Sequence, residues 1–376
     1  MNGCVHFTEL PCSDNQHKIA KATLDNPSSL NALTFDMLRE LKAQLELWQD
    51  DDDIVCVILD GEGSKAFCAG GDVRTMHQVM QQNDPKATEQ FCCDYFTLEY
   101  QCDYLIHTCY KPVIAWGEGI VMGGGVGLYM GSSHKVVTPS TRLAMPEVSI
   151  GLFPDVGATW FLNRLEEGVG LFLGMTGAMI NASDALSIHL ADHIALPEDK
   201  ETLIEQLQVA DWQYVDDVYE VVSELLEAFH DSAFAAAPPP QLVPYLEPIR
   251  QACHQDSVIH VADSIMAMAS NDPWLDGAKR NLASGSPITC HLCYRQMTQF
   301  QQLSLADCFR LELTMAVRSA LLGEFQEGVR SRLIDKDNEP HWKYASIAQV
   351  DTNIIDQLVT SYWSSDKHPL ALLGHY

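Results

Sequence analysis

Apolar residues in the first half of the chain fall into blocks of two kinds. Residues 54–59 (IVCVIL) and 113–116 (VIAW) are continuous apolar runs of strand length, and residues 135–137 (KVV) add a shorter one. A helix is predicted before the first run, because apolar residues follow the N-cap candidate Thr34 at spacings of three and four: Leu38, Leu41, Leu45 and Trp48. Strands that alternate with helices in this way predict an α/β layer fold.

The pattern changes after about Pro197, where strand-like runs cease and the sequence becomes helical and acidic. Residues 235–240 (AAAPPP) predict a linker or a stiff bend between helices, since proline cannot continue a helix. After Ser304, apolar residues predict a long helix that packs on another element: Leu305, Cys308, Leu311, Leu313, Met315, Val317 and Leu321. We therefore predict a sheet-based catalytic core over residues 1–200 and a helical region over residues 201–376 that packs on or covers it.

Length and composition narrow the class of protein. With 376 residues, 47% of them hydrophobic, the chain can bury a substantial core. No run approaches the roughly 18 consecutive apolar residues of a membrane helix, and no basic start precedes an apolar stretch, which together predict a cytoplasmic protein. The net charge of −28 repels polyanions, so we expect neither nucleic acid nor a membrane as a partner. A small anionic ligand remains compatible, because local basic side chains act at short range.

The cysteines and histidines do not form a recognisable metal motif. The 12 cysteines lie irregularly, often in apolar strings such as residues 55–57 (VCV), and are predicted to be reduced. Cys290 and Cys293 form one C-x-x-C pair without a second pair at zinc-site spacing. His189 and His193 lack the glutamate that a zinc-protease motif requires. We therefore expect no bound metal.

Several common nucleotide and nucleophile motifs are missing. Gly117, Gly119 and Gly123 have a spacing one residue too long for the dinucleotide-binding fingerprint, which argues against a nicotinamide cofactor. The sequence has neither the G-x-x-x-x-G-K-[ST] phosphate loop nor the G-x-S-x-G serine motif. Any hydrolysis would then proceed without that serine, and no separate cofactor is expected.

Two glycine-rich turns each follow an apolar strand, at residues 65–72 (KAFCAGGD) and 123–127 (GGGVG). Glycine permits positive φ and a close approach of ligand to backbone, so both turns can present bare amides. Two amides that converge on one carbonyl oxygen stabilise a developing oxyanion, and losing one such donor typically costs roughly 100- to 1000-fold in rate. Either turn alone could be a tight turn without chemistry, whereas two together favour acyl chemistry.

Two carboxylates, Glu147 and Asp155, stand close together in an apolar segment bounded by proline and glycine, residues 145–157 (MPEVSIGLFPDVG). Carboxyl groups among apolar neighbours tend to have raised pKa values, which suits proton transfer or nucleophilic attack. Alternatively, Glu147 occupies a first helical turn and Asp155 caps the next helix. Composition leaves both interpretations open.

These motifs resemble the crotonase (enoyl-CoA hydratase/isomerase) superfamily, and most closely its branch of 3-hydroxyisobutyryl-CoA hydrolases. The resemblance extends from about residue 20 to residue 345 and includes four segments in matching order and spacing: residues 65–72, 119–127 (GIVMGGGVG), 145–155 and 327–342 (EGVRSRLIDKDNEPHW). It implies a crotonase-like ββα spiral core with a helical C-terminal extension. It also implies hydrolysis of a short-chain acyl-CoA thioester, 3-hydroxyisobutyryl-CoA in valine catabolism, with CoA as part of the substrate.

The resemblance assigns roles position by position. It implies that the amides of Gly71 and Gly124 form the oxyanion hole around the thioester carbonyl. Glu147 matches the catalytic glutamate of the family, and Asp155 matches the aspartate that marks the hydrolase branch. Glu99, on a helix before the second glycine turn, aligns with a further acid on the substrate side.

One departure from typical hydratases favours hydrolysis over hydration. Hydratases carry a glutamate two residues after the triple glycine, where this chain has Gly127, and they have a small residue where this chain has Asp155. The expected mechanism has Glu147 either attack the carbonyl to give a mixed anhydride or activate water. Asp155 would bind the substrate's 3-hydroxyl group or orient the attacking water.

The remaining expectations concern binding and assembly. Lys65 and Arg74 flank the first glycine turn and are candidates for contacting the CoA phosphates. The superfamily frequently forms trimers, whereas the hydrolase branch need not, so homo-oligomer formation stays open. Two rival functions also stay open. One is an enoyl-CoA hydratase or isomerase with Glu147 as its sole acid/base, and the other is a CoA-ester-binding protein without catalysis.

Overall fold

The computed structural model describes residues 3–361 and 363–375 and contains ten β-strands. Their bounds are β1 Cys4–Pro11, β2 Lys18–Asp25, β3 Ile54–Gly61, β4 Ala66–Cys68, β5 Val113–Gly117, β6 Ile120–Met122, β7 His134–Val137, β8 Arg142–Ala144, β9 Ile180–Asn181 and β10 His193–Ile194. The apolar runs predicted as strands are confirmed as β3, β5 and β7. In the described residues after β10 there is no further strand, as the change of pattern near Pro197 predicted.

Helices alternate with these strands along the first half of the chain and make up most of the second half. The α-helices are α1 Phe35–Asp50, α2 Val73–Met80, α3 Pro85–His107, α4 Gly124–Gly131, α5 Ala158–Phe161, α6 Val169–Thr176, α7 Ala182–Ser187, α8 Asp199–Val209, α9 Val218–Glu227, α10 His230–Ala235, α11 Leu246–Cys253, α12 Val258–Ala267, α13 Pro273–Ser284, α14 Pro287–Gln299, α15 Leu305–Leu322, α16 Glu324–Val329 and α17 Thr352–Val359. Short 3-10 turns include Glu147–Ser149, and one π-helical turn spans Arg330–Ile334.

The strands form two sheets. The larger sheet has the order β1-β2-β3-β5-β7-β10, in which β1 and β2 are antiparallel and the other neighbours are parallel. The smaller sheet has the order β4-β6-β8-β9, with β4 parallel to β6 and β8 antiparallel to β9. Every residue of β3 is buried, as expected for a strand inside a parallel sheet that is covered on both faces.

Local sequence accounts for the best-predicted elements. Thr34 adopts an extended conformation and its side chain accepts a hydrogen bond from the amide of Met37, so it caps α1 as predicted. The four apolar residues that predicted this helix are all buried: Leu38, Leu41, Leu45 and Trp48. The long helix predicted after Ser304 is confirmed as α15, which Ser304 caps. The proline run ends α10 at Ala235, as proline should.

The described chain divides into two compact units, each assembled from three segments. Of the described residues, the first unit contains 3–71, 102–143 and 180–243, and the second contains 72–101, 144–179, 244–361 and 363–375. Each unit takes residues from both sides of position 200, where the sequence changes from strand-bearing to helical. A domain boundary at residues 200 and 201 therefore stays a prediction from sequence character.

Burial and cysteine chemistry agree with a reduced globular protein. In the first unit, β2, β3, β5 and β7 pack on α8 and α9 through an apolar cluster that includes Ile19, Ile58, Trp116, Leu207 and Leu226. All 12 cysteines are free thiols, as predicted. No helix in the described part of the chain is both long and apolar enough to cross a membrane.

Candidate active site

The two glycine turns meet in the first unit because the strands before them are neighbours. β4 and β6 pair in parallel, with Ala66 opposite Ile120, so the turns that follow both strands leave the same edge of the smaller sheet. A Cβ atom built on Gly70 would lie 3.4 Å from the carbonyl oxygen of Met122 and 3.6 Å from the amide nitrogen of Gly124. The two turns predicted from sequence are therefore in contact through their backbones.

Glycine is required in these turns for two separate reasons. Gly70 and Gly123 have φ values of +115° and +51°, in the left-handed region that residues with a Cβ atom rarely adopt. Gly125 has no such φ, but a Cβ there would stand 2.4 Å from the carbonyl oxygen of Cys68. Gly124 is the first residue of α4, so its amide lies outside the hydrogen bonding of that helix and can donate to a ligand.

Three predicted acids come together in the second unit. Glu99 lies in α3, Glu147 begins the 3-10 turn Glu147–Ser149, and Asp155 lies in the turn before α5; their exposures are 2%, 3% and 4%. Burial raises the pKa of Glu99 and of Glu147 well above the ordinary value, and the negative charge of Asp155 raises both further. The three carboxyl groups therefore interact electrostatically as one cluster, which is called the acid cluster below.

The members of the acid cluster differ in their hydrogen bonds. The hydroxyl of Tyr100 donates to Asp155 Oδ2 over 2.7 Å. Burial raises the pKa of Asp155 to about 7, although this hydrogen bond from Tyr100 works in the opposite direction. Within the described residues, Glu99 Oε1 and Glu147 Oε2 are buried and have no hydrogen-bond partner. Buried polar atoms are normally paired, so these two oxygens are free to bind a substrate or a water molecule.

A further buried acid, Glu312 in α15, fixes the turn that carries Asp155. Its two carboxylate oxygens accept hydrogen bonds from the amides of Gly157 over 2.7 Å and Thr159 over 2.8 Å. Burial raises the pKa of Glu312 to about 8. Val156, between Asp155 and Gly157, has a φ of +53°, which is strained for a β-branched residue. Glu312 therefore holds the backbone of a strained turn next to a candidate catalytic group.

The late sequence motif packs against the segment that carries Glu147. A Cβ atom on Gly151 would lie 2.4 Å from the carbonyl oxygen of Glu324, and one on Gly328 would lie 2.2 Å from the backbone of Ile150. Arg330, near the start of this motif, pairs with three carboxylates at 2.6 to 2.8 Å: Glu327, Asp335 and Asp337. Through these contacts, the chain around residues 327–342 supports the segment of residues 145–155 that carries Glu147 and Asp155.

The predicted residues thus fall into three groups. Gly71 and Gly124 belong to the touching glycine turns of the first unit, and Glu99, Glu147 and Asp155 form the acid cluster of the second. Glu147 does start a 3-10 turn, so the structural alternative for this residue also holds. The side chains of Lys65 and Arg74 are exposed, and their contact with CoA phosphates stays a prediction.

Sequence reasoning missed two residues that hold Asp155 and its turn. Tyr100 directly follows Glu99 in α3 and is fully buried. Glu312 is the single acid in residues 311–315 (LELTM), and an isolated carboxylate on the buried face of a predicted helix is the signal that could have identified it.

Comparison with known proteins decides the family. Residues 19–359 match the enoyl-CoA hydratase/isomerase family. The chain belongs to this family. Two relatives in it are named mitochondrial 3-hydroxyisobutyryl-CoA hydrolase: the Xenopus laevis protein is 34% identical over 345 residues, which are 92% of this chain and 87% of the relative. The Danio rerio protein is 35% identical over 348 residues, with coverage of 92% and 88%.

A solved member of the enoyl-CoA hydratase/isomerase family confirms the predicted crotonase-like fold. The crystal structure of an enoyl-CoA hydratase from Rhodobacter sphaeroides 2.4.1 superposes with a TM-score of 0.81 at 27% identity, covering 95% of this chain and 97% of that one. Both ends of the resemblance noted in the sequence, near residues 20 and 345, lie within the family match.

The expected cytoplasmic location is wrong, because the hydrolase relatives are named as mitochondrial proteins. That expectation depended on the lack of an apolar targeting segment. Mitochondrial targeting uses amphipathic rather than apolar segments, so this feature could not separate the two compartments.

Proposed function

We propose that this chain hydrolyses 3-hydroxyisobutyryl-CoA to 3-hydroxyisobutyrate and CoA, a step of valine catabolism. The names of the hydrolase relatives support this substrate. The observation that carries the proposal is the acid cluster, in which Asp155 lies buried beside Glu147 and raises its pKa. An acid at position 155 is the feature by which the sequence resembles the hydrolase branch and differs from typical hydratases.

In the proposed reaction, the amides of Gly71 and Gly124 stabilise the negative charge that develops on the thioester oxygen. Glu147, in its ionised form, attacks the carbonyl carbon or removes a proton from the attacking water. The C–S bond breaks and the CoA thiolate takes up a proton. The oxygen that replaces sulfur in the product comes from water when water attacks the acyl carbon. It comes from the Glu147 carboxylate when water opens the anhydride at the glutamyl carbon, and water then restores that carboxylate. No cofactor is needed, because the oxyanion donors and the carboxylates supply the required charge stabilisation and proton transfer.

Asp155 has the environment of a group that can exchange a proton near neutral pH. Its pKa of about 7 matches the range in which a general acid or base is most effective. We assign it the substrate's 3-hydroxyl or the attacking water, and Glu99 a supporting contact on the substrate side. The side chains of Lys65 and Arg74 are proposed to contact the CoA phosphates.

Glu147→Gln tests the central assignment. Release of CoA from 3-hydroxyisobutyryl-CoA, followed with a thiol reagent, should fall by at least about 1000-fold, because the substitution removes the base or nucleophile and keeps the volume. Binding of the CoA ester, measured by calorimetry, should persist. Glu205→Gln, an exposed position in α8, is the matched control and should retain the wild-type rate. A Glu147→Gln enzyme with near-normal turnover would remove Glu147 from the mechanism.

Isotope labelling tests whether Glu147 acts as the nucleophile. In a single turnover in H₂¹⁸O, a mixed anhydride that water attacks at the glutamyl carbon leaves ¹⁸O in Glu147 and none in the product. Attack of water on the thioester carbonyl, or on the acyl carbon of the anhydride, places ¹⁸O in the product acid, so ¹⁸O in Glu147 is the outcome that identifies the nucleophilic role. Mass spectrometry of the peptide containing Glu147 and of the released acid distinguishes these outcomes.

A second candidate function is hydration or isomerisation of an enoyl-CoA. The fold match to a protein named enoyl-CoA hydratase favours it. Such an activity would change enoyl absorbance without releasing thiol, whereas hydrolysis releases one thiol per ester. Tight binding of short acyl-CoA esters with neither signal would instead identify a binding protein without catalysis.

A further inference from the structure

Three potential metal ligands of different chemistry lie on one face at the start of the larger sheet. Cys4 and His6 are two residues apart in β1, so their side chains point to the same side of the strand. Asp25, the last residue of β2, is directly opposite Cys4 in the antiparallel ladder. The backbone hydrogen bonds between β1 and β2 thereby hold a thiol, an imidazole and a carboxylate together. Positions 4, 6 and 25 form no familiar sequence motif, so only the strand register reveals this group.

The distances within this group are close to those of a tetrahedral zinc site. Bond lengths of about 2.3 Å to sulfur and about 2.1 Å to nitrogen or oxygen separate sulfur from either lighter ligand by about 3.6 Å, and nitrogen from oxygen by about 3.4 Å. Cys4 Sγ lies 3.8 Å from His6 Nε2 and 4.0 Å from Asp25 Oδ2. His6 Nε2 and Asp25 Oδ2 are hydrogen-bonded at 2.7 Å and would separate to about 3.4 Å around an ion. Rotation of the exposed His6 side chain can supply that change.

The surroundings favour a cation. The carboxylate oxygen Asp25 Oδ2 lies 4.0 Å from Cys4 Sγ and 2.7 Å from His6 Nε2, so an anionic ligand atom already stands beside the other two. The chain as a whole carries a net charge of −28. Side chains of His6 and Asp25 are 58% and 30% exposed, so an ion can reach the group from solvent and keep a water molecule in its fourth position.

We propose that Cys4, His6 and Asp25 bind one divalent ion of the zinc type, with water as the fourth ligand. The mixture of sulfur, nitrogen and oxygen donors selects zinc or a similar transition metal over calcium and magnesium, which prefer oxygen ligands alone. On binding, the Cys4 thiol loses its proton to solvent and the thiolate coordinates the ion. The ion would tie the edge strand β1 to β2 and thereby stabilise the folded state.

Zinc titration of the full-length, metal-free protein tests this site. Competition with a chromogenic zinc chelator should show one bound Zn²⁺ per chain. Cys4→Ser and His6→Ala should each weaken binding by more than about 100-fold, since even loss of an outer-shell partner costs about 10- to 100-fold. Thermal unfolding of the wild type, but not of these variants, should shift to higher temperature with added zinc.

Two control variants separate this group from adventitious binding. His17 and Asp14 form a similar imidazole–carboxylate pair at 2.6 Å in the same unit, so His17→Ala should bind zinc as the wild type does. Cys109→Ser removes another partly buried thiol of that unit and should also have no effect. Co²⁺ bound to the wild type should show a thiolate charge-transfer band that Cys4→Ser lacks. Equal zinc affinity in the wild type and Cys4→Ser, or no measurable binding in either, would overturn the proposal.

Discussion

At the scale of single residues, Asp155 is held between burial, which favours its neutral form, and the Tyr100 hydroxyl, which favours its charged form. Tyr100→Phe removes the donor and keeps the ring, so the pKa of Asp155 should rise from about 7. A hydrogen bond to a charged group contributes about 1.5 to 3 kcal/mol, which corresponds to about one to two pH units. If catalysis needs ionised Asp155, the acid limb of kcat/KM should move to higher pH by that amount.

A control variant and the rate at high pH test whether this shift of the acid limb comes from the pKa of Asp155. Tyr294→Phe, which removes an exposed hydroxyl that donates a hydrogen bond to the carbonyl oxygen of Gln255, should leave the pH profile in place. The rate of Tyr100→Phe at high pH should approach that of the wild type, because the carboxylate is then ionised in both. A uniform loss of rate at every pH would show instead that Tyr100 matters for packing and not for the charge on Asp155.

Glu99 should make the folded state less stable as the pH rises, because it is a buried acid. Burial raises its pKa above the ordinary 4.5, so above this value the unfolded chain has released a proton that the folded chain retains. Stability contributed by this group is therefore fully present below pH 4.5 and is lost as pH rises through the folded-state value. Glu99→Gln removes the titration, and its free energy of unfolding should decrease less than that of the wild type between pH 5 and pH 8. Urea unfolding at both pH values measures this difference, and equal slopes would contradict it.

At the scale of elements, the contact between the two glycine turns depends on Gly125. An added Cβ would approach the Cys68 carbonyl oxygen to 2.4 Å. This oxygen belongs to the backbone, so it cannot move aside as the end of a flexible side chain could. Gly125→Ala should therefore shift the turns that carry Gly71 and Gly124. We expect a loss of about 1 to 3 kcal/mol in stability. We also expect a decrease of about 100-fold in kcat, because a displacement of about 1 Å at a reacting group has an effect of that size.

Gly277→Ala provides a control within another helix. A Cβ there would meet only the side-chain nitrogen Nη2 of Arg280, at an ordinary 3.7 Å. Alanine should raise stability by about 0.5 to 1 kcal/mol, because glycine is unfavourable inside a helix, and should leave kcat unchanged. Thermal unfolding and thiol release are measured for both variants. If Gly125→Ala were as stable and as active as Gly277→Ala, the proposed strain at Gly125 would be refuted.

The elements also show how far sequence reasoning reaches. Strands β3, β5 and β7 and helix α1 follow from short-range sequence patterns, and both glycine turns could be identified because their signals are local. The contacts of Asp155 and its turn could not be identified, because Glu312 is 155 residues from Gly157 and Tyr100 is 55 residues from Asp155. No periodic pattern specifies which face of α15 meets which turn. The zinc-type ligand group likewise depends on strand register.

At the scale of the whole molecule, the net charge of −28 opposes an anionic substrate. CoA esters carry phosphate charges, so encounter at low salt should be slowed by repulsion, and salt should relieve it. The Debye length decreases from about 30 Å at 0.01 M to about 8 Å at 0.15 M ionic strength. We therefore expect kcat/KM for the CoA ester to rise several-fold over this range, opposite to enzymes whose field attracts their substrate.

An uncharged thioester isolates this effect from salt effects on folding or chemistry. The N-acetylcysteamine ester of the same acid has the reacting group without phosphates, so its kcat/KM should stay nearly constant with salt. Lys65 and Arg74 act in the opposite sense at short range, and replacing both by alanine should raise KM for the CoA ester alone and steepen its increase in kcat/KM with salt. A wild-type kcat/KM for the CoA ester that falls with salt would mean that local cations outweigh the net charge. The net charge would then not determine the direction of the salt dependence.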